Sequence, residues 1–83
     1  MNLATAVNIA AAKEIARLLR LYQVGGMVMI DFIAVESKDH RQAIAAAFDE
    51  AAAADSRSFE RSAVNGFGLM QVVRARPRPS RST

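Results

Sequence analysis

Cysteine is absent from this 83-residue chain. Its absence excludes a disulfide framework and a thiolate metal site, and fits an intracellular chain that folds without covalent staples. The two prolines, Pro77 and Pro79, both fall in the C-terminal "RPRPSRST". Proline lacks the amide proton a ladder needs, so this stretch is excluded from a sheet interior and is expected to be a disordered basic tail over residues 77–83. No apolar run approaches the roughly 18 residues needed to span a bilayer, and "MNLATAVNIAAAKE" lacks the basic region and compact apolar core of a secretory signal. The chain therefore reads as soluble and cytoplasmic, without a membrane partner. There is a single histidine, His40. With no serine, cysteine or acid at a recognisable spacing, it reads as a packing or capping residue rather than a catalyst.

The formal net charge of +3 is unevenly placed. Up to Val73 there are seven basic and eight acidic residues, after which Arg74, Arg76, Arg78 and Arg81 follow with no acid. A nearly neutral body thus carries a basic end that could meet nucleic-acid phosphate. A chain of this length makes at most one small domain with a thin core, which favours association with a partner. The alanine clusters at 10–12, 45–47 and 51–54 are helix composition and not a repeat.

From Asn8 to Tyr22 the residues Ile15, Leu18, Leu19 and Tyr22 fall at i, i+3, i+4 and i+7, the stripe of an amphipathic helix. Asn8 or Thr5 can cap its start, and Gly25 is placed to end it in a left-handed conformation. Met27 to Ile33 is short and apolar, which predicts a strand buried on both faces in the middle of a sheet. Ser37 reads as the cap of a second helix ending near Ala54, with Ile44, Ala47, Phe48 and Ala51 as its apolar stripe. Phe59 to Val64 and Leu69 to Arg74 read as strands joined through Asn65-Gly66, a hairpin signal. Phe59 and Phe67 are read as core or hairpin residues rather than base-stacking platforms.

Within "GGMVMIDFIAV" the only charged residue is Asp31. Alternation puts it on one strand face with Met27, Met29 and Ile33, so it shares a face with expected core residues, where an ionised carboxylate needs compensation. It also lies towards the strand's C-terminal end, where α/β sheets tend to place ligand groups. A hard cation such as Mg²⁺, or an arginine and loop amides, would compensate it. Glu36 and Asp39 are near in sequence but sit where acids ordinarily favour a helix start. The glycine pair precedes a strand, so it is neither a P-loop nor a dinucleotide fingerprint, and reads as a helix stop.

"NIAAAKEIARLLRLYQVGGMVMIDFIAV" closely resembles a segment of the ribonuclease E/G family, and "HRQAIAAAFDEAAAADSRSFERSAVNGFGLMQVVRARPRPS" follows the same plan more weakly. The resemblance covers Asn8 to Ser80. It implies part of the deoxyribonuclease-I-like catalytic subdomain of an endoribonuclease. In that family the aspartate of "IDFI" is one of two that hold the catalytic Mg²⁺, which would make Asp31 catalytic and a metal ligand. Arg74 and Arg76 match the basic end of the segment and are second candidates, for RNA phosphate. The sequence departs from the family at Ala34, where a second aspartate is usual, and at Gln71, where glutamate is usual. The upstream strand with the other metal aspartate, the RNA-binding domain and the downstream "CPxC" zinc link are missing.

These readings give an α/β class in α-β-α-β-β order, with two helices packed on a small mixed sheet. Residues 1–76 form a single partial catalytic subdomain. The expected function is that of a fragment or truncated relative of a Mg²⁺-dependent endoribonuclease that cleaves single-stranded RNA, inactive alone. It would self-associate or take a companion chain that supplies the missing strand. The alternatives are a non-catalytic interaction module and a small RNA-binding protein working through its basic tail.

Overall fold

A computed structural model describes residues 2–76. The elements are α1 (Leu3–Leu21), β1 (Gly26–Asp31), α2 (Lys38–Ala52), β2 (Phe59–Arg61) and β3 (Leu69–Arg74), the expected α-β-α-β-β order. The sheet order is β1-β3-β2, and the sheet expected to be mixed is in detail antiparallel at both ladders. The basic tail, residues 77–83, lies outside the described residues.

α1 starts earlier than its large apolar residues indicate. Asn2, not Asn8 or Thr5, is the cap: its Oδ1 accepts the Thr5 amide at 2.8 Å. Thr5 and Asn8 are instead buried, on one stripe with Ala12, Ala16 and Leu19, while Tyr22 is exposed. The buried stripe is made of small residues because α1 lies against α2, whose buried side presents Ile44, Ala45 and Phe48. Small side chains let two helices approach closely. A reading weighted towards large apolar residues therefore turns the helix by part of a turn.

The helix ends at Tyr22, and Gln23, with φ 53°, takes the left-handed position expected of Gly25. The Gln23 amide donates to Arg20 O (3.2 Å) and the Val24 amide to Leu19 O (2.9 Å), the paired bonds of a Schellman ending. The two glycines serve a different end. A Cβ on Gly25 would lie 2.7 Å from Arg76 Cα, and one on Gly26, whose φ is +92°, would lie 2.7 Å from Arg76 Nη2. They are there because the chain leaving β3 crosses them.

β1 is an edge strand and β3 the middle one, the reverse of the expectation for "MVMID". Ile30 and Phe32 are buried against the helices, but Met27 and Met29 are 66% and 56% exposed. Both helices lie on one face, so the other face of the sheet is uncovered among the described residues. An apolar run cannot say whether a second layer exists; only the layer count does. The core joins Ile30 of β1, Phe32 just beyond it, and Met70 and Val72 of β3 to Ile44 and Phe48 of α2. Phe59 packs edge-on against Phe48 with ring centroids 5.5 Å apart.

The β2–β3 hairpin forms as expected, but with a shorter first strand and a different glycine. Asn65 Oδ1 accepts the amides of Phe67 (2.9 Å) and Leu69 (3.0 Å), and its own amide donates to Leu69 O (3.0 Å). Gly68 has φ +89°, and a Cβ there would strike the Phe32 carbonyl. Nothing crowds Gly66. Phe67 stands at the hairpin tip, exposed. Ser37 caps α2 as expected, its Oγ accepting the His40 amide at 3.3 Å.

Candidate metal and nucleic-acid site

Asp31 is the last residue of β1, opposite Leu69 of β3. Its side chain is exposed, and its carboxylate makes no hydrogen bond or ion pair among the described residues. The burial cost anticipated from the sequence does not arise, because the face it shares with Met27, Met29 and Ile33 is the uncovered one.

The backbone that carries it is held firmly. One residue on, the Phe32 amide donates to Gly68 O at 2.8 Å. At Ile33 the amide donates to Asn8 Oδ1 (3.0 Å) and the carbonyl accepts from Asn8 Nδ2 (2.8 Å). A carboxamide offers a donor and an acceptor side by side, so Asn8 reproduces what one residue of a neighbouring strand would do. Its burial at 2% exposure is permitted because both of its polar atoms are satisfied. Asn8 was expected only as a cap. The missed signal is an asparagine inside a helical stripe, a position it disfavours unless its side chain has a tertiary partner.

The other acids do not converge on Asp31. Glu36 lies exposed in the loop before α2 and Asp39 in the first turn of α2. Among the described residues no group of three or more His, Asp or Glu side chains could hold a metal ion. Magnesium requires near-octahedral oxygen ligation, usually from one or two carboxylates, substrate phosphate and water. The described residues supply one carboxylate and do not by themselves make that site. His40 Nδ1 lies 3.3 Å from Thr5 Oγ1, tying α2 to α1.

Arg74 was expected at the RNA surface and is instead a core residue. It is 2% exposed against 6% for Asp55. Nε and Nη2 donate to the two Asp55 oxygens at 2.7 and 2.9 Å, and Nη1 donates to Val24 O at 3.0 Å. The alternation of β3 explains this, since Met70, Val72 and Arg74 share the helix-facing side. The hydrogen bonds from Arg74 hold the Asp55 carboxyl below its ordinary range against the opposing effect of desolvation. Arg76, beyond the strand, is exposed and remains accessible to phosphate.

A second concave feature was not foreseen. Between α2 and the β2–β3 connection lies a groove of about 440 Å³ with Lys38, Arg41 and Arg61 on its walls and Ala45 and Val64 among its apolar lining. Two of its cations are engaged. Arg61 donates from Nε and Nη2 to the Asp49 carboxylate, both at 2.6 Å, and those bonds raise the arginine's pKa. Arg41 Nη1 donates to the carbonyls of Val35 (2.9 Å) and Glu36 (2.5 Å).

Comparison with known proteins locates the same segment in larger chains. Residues 1–77 match the profile of the Ribonuclease E/G family. Ribonuclease G of Escherichia coli (strain K12) is 40% identical over 76 residues, covering 88% of this chain and 15% of that protein. Ribonuclease E of the same strain is 40% identical over 73 residues, covering 88% of this chain and 7% of its own. The chloroplastic Ribonuclease E/G-like protein of Arabidopsis thaliana is 35% identical over 74 residues, 89% of this chain and 7% of its own. The chain thus spans between 7% and 15% of the length of these relatives.

Proposed function

The chain belongs to the ribonuclease E/G family, and on that premise we propose that Asp31 is one ligand of a Mg²⁺ site for endoribonucleolytic cleavage of single-stranded RNA, completed by groups outside the described residues. The observation that carries this reading is the exposed carboxylate, without a partner among the described residues, at the end of a strand whose following backbone is fixed by Asn8 and Gly68. A metal ligand must be positioned without being neutralised, and Asp31 meets both conditions. When bound, the ion would supply charge neutralisation at phosphate and activation of water. This chain's part is to hold one carboxylate in place.

With a single carboxylate, the isolated chain is inactive. Its work belongs to RNA processing and decay in the cytoplasm, with Arg76 contacting RNA phosphate. Arg74 has no part in that contact, because its guanidinium is spent on Asp55 and Val24. The remaining ligands come from a companion segment or chain, for which the β1 edge, unpaired among the described residues, offers a place.

The test is a Mg²⁺ titration followed by amide NMR, beside a cleavage assay on 5′-monophosphorylated single-stranded RNA. We expect weak, saturable shifts centred on Asp31 that Asp31→Asn abolishes, and no cleavage by the chain alone. Mg²⁺-dependent cleavage that survives Asp31→Asn would remove Asp31 from the chemistry.

A second reading, a non-catalytic interaction module, is favoured by the uncovered face carrying Met27, Met29 and Val73 and by Ala34 and Gln71 at the positions where the sequence departs from the family. Mg²⁺ shifts absent at Asp31 would support it.

A further inference from the structure

We infer that the groove between α2 and the β2–β3 connection is an RNA subsite, holding one phosphate on Lys38 and Arg41 and the attached nucleoside against its alanine-rich floor. This rests on the RNA substrate proposed above and not on the metal.

The groove is a concavity within the described residues, whose own side chains make both of its walls. On α2, Lys38, Arg41, Gln42, Ala45 and Ala46 recur at the spacing of one helical stripe. The opposite wall is Arg61, the last residue of β2, followed by Ala63 and Val64. Alanine at positions 45, 46 and 63 leaves the space open, about 440 Å³ between the walls. That volume falls within the range of small-ligand clefts, about 300–1,000 Å³.

Its charge is of one sign. No acidic residue lines it among the described residues. Asp49 compensates Arg61, so Lys38 and Arg41 carry the excess. Arg41 is held in place without losing its donors. Its Nη1 donates to the carbonyls of Val35 and Glu36, which leaves Nε and Nη2 without a partner among the described residues. Those two nitrogens form the edge of a guanidinium that pairs with phosphate in bidentate fashion. A guanidinium already anchored through its third nitrogen loses little side-chain freedom when an anion arrives. Lys38, exposed on the same wall, brings a second positive charge, and the first turn of α2 adds the positive end of its dipole.

The two halves of the groove divide the work. Phosphate takes the cations, while the sugar and base of one nucleotide gain from contact with Ala45, Ala46 and Val64. A run of carboxylates would use the cations but offers no flat apolar group to the floor. The groove and Asp31 lie towards opposite edges of the sheet, at β2 and β1 with β3 between them. Two strand spacings, about 10 Å, separate those edges. The groove therefore takes a different phosphate from the one at Asp31.

The test is amide NMR with fluorescence anisotropy on the 83-residue chain and an unstructured oligouridylate, in EDTA so that no metal takes part. Saturable shifts are expected at Arg41, Gln42, Ala46 and Ala63. Lys38→Glu should weaken binding about tenfold more than Lys13→Glu, the same change of net charge on the exposed side of α1. Glutamate suits the first turn of a helix, so the circular dichroism spectrum should not change. Ala46→Phe fills the floor and removes no charge. It should weaken RNA binding while inorganic phosphate still shifts Arg41. Oligoglutamate of matched charge should leave Ala46 and Ala63 unshifted. Equal effects of the two lysine variants would overturn the inference. Shifts confined to Arg76 and the residues after it would also overturn it, while keeping RNA as the ligand. Oligoglutamate shifts equal to those of RNA would make the groove an acidic-peptide site and overturn it as well. Asp31→Asn should leave the groove shifts intact, so a failed Mg²⁺ titration removes the metal reading alone.

Discussion

The side chain of Asn8, in the second turn of α1, holds both backbone polar groups of Ile33, two residues past Asp31, at 2.8 and 3.0 Å. This one contact ties the first helix to the end of the strand that carries the candidate ligand.

Replacing Asn8 with alanine leaves an amide and a carbonyl of Ile33 without their partner. The loss of two buried bonds should cost about 2–4 kcal/mol, read as a fall in the urea midpoint. Exchange at the Ile33 amide should accelerate more than exchange at Ile30, whose bond to β3 remains. Equal acceleration at both would mean that Asn8 stabilises the fold only globally.

Asp31→Asn should leave stability within about 0.5 kcal/mol of the parent, as is usual for exposed positions without partners. Thermal denaturation checks this. A large loss would show that the carboxylate has a structural partner, and would weaken its assignment as a free ligand.

Breaking the Arg74–Asp55 pair from one side should be far more damaging than the position of Arg74 near the chain end implies. Arg74→Ala strands a buried carboxylate, at a cost of about 3–5 kcal/mol. Arg74→Lys should recover little, since an ammonium cannot reach Asp55 and Val24 O with the same fork. Urea denaturation of the two variants, with Arg76→Ala as the mild surface control, tests the contrast.

The same pair sets a pH dependence. The Asp55 carboxyl is held below its ordinary range when folded, so its contribution is fully present above the unfolded value, about pH 4. That contribution is lost as pH falls through the lower folded value. The stability difference between the parent and Asp55→Asn should therefore be flat above about pH 5 and shrink below about pH 4. A difference that grows on acidification would reverse the sign and refute the linkage.

Gln23 and Gly68 make a paired test of backbone strain. Gln23 sits at φ 53° with no glycine's freedom, so Gln23→Gly should stabilise the chain by up to about 1 kcal/mol. Gly68→Ala, at φ +89° and against the Phe32 carbonyl, should lower the melting temperature. Thermal unfolding of the two variants should move in opposite directions.

The sequence by itself determined the order of elements, the Ser37 cap, the β2–β3 hairpin and family membership, because each rests on local propensity or on a motif read in order. It placed Asp31 at the end of a strand and on one face with Met27 and Met29, since a period of two needs no tertiary knowledge. It misread what those faces meet. Only the tertiary structure decided that, among the described residues, one sheet face is uncovered and β1 is an edge, and that Arg74 turns inward to Asp55 while Arg76 stays outside. It also decided that Asn8 reaches a backbone 25 residues away. The physical reason is common to all four. Periodicity states which side chains share a face, but the free energy of a polar or apolar group depends on what is packed against that face, and that is supplied by residues distant in the chain.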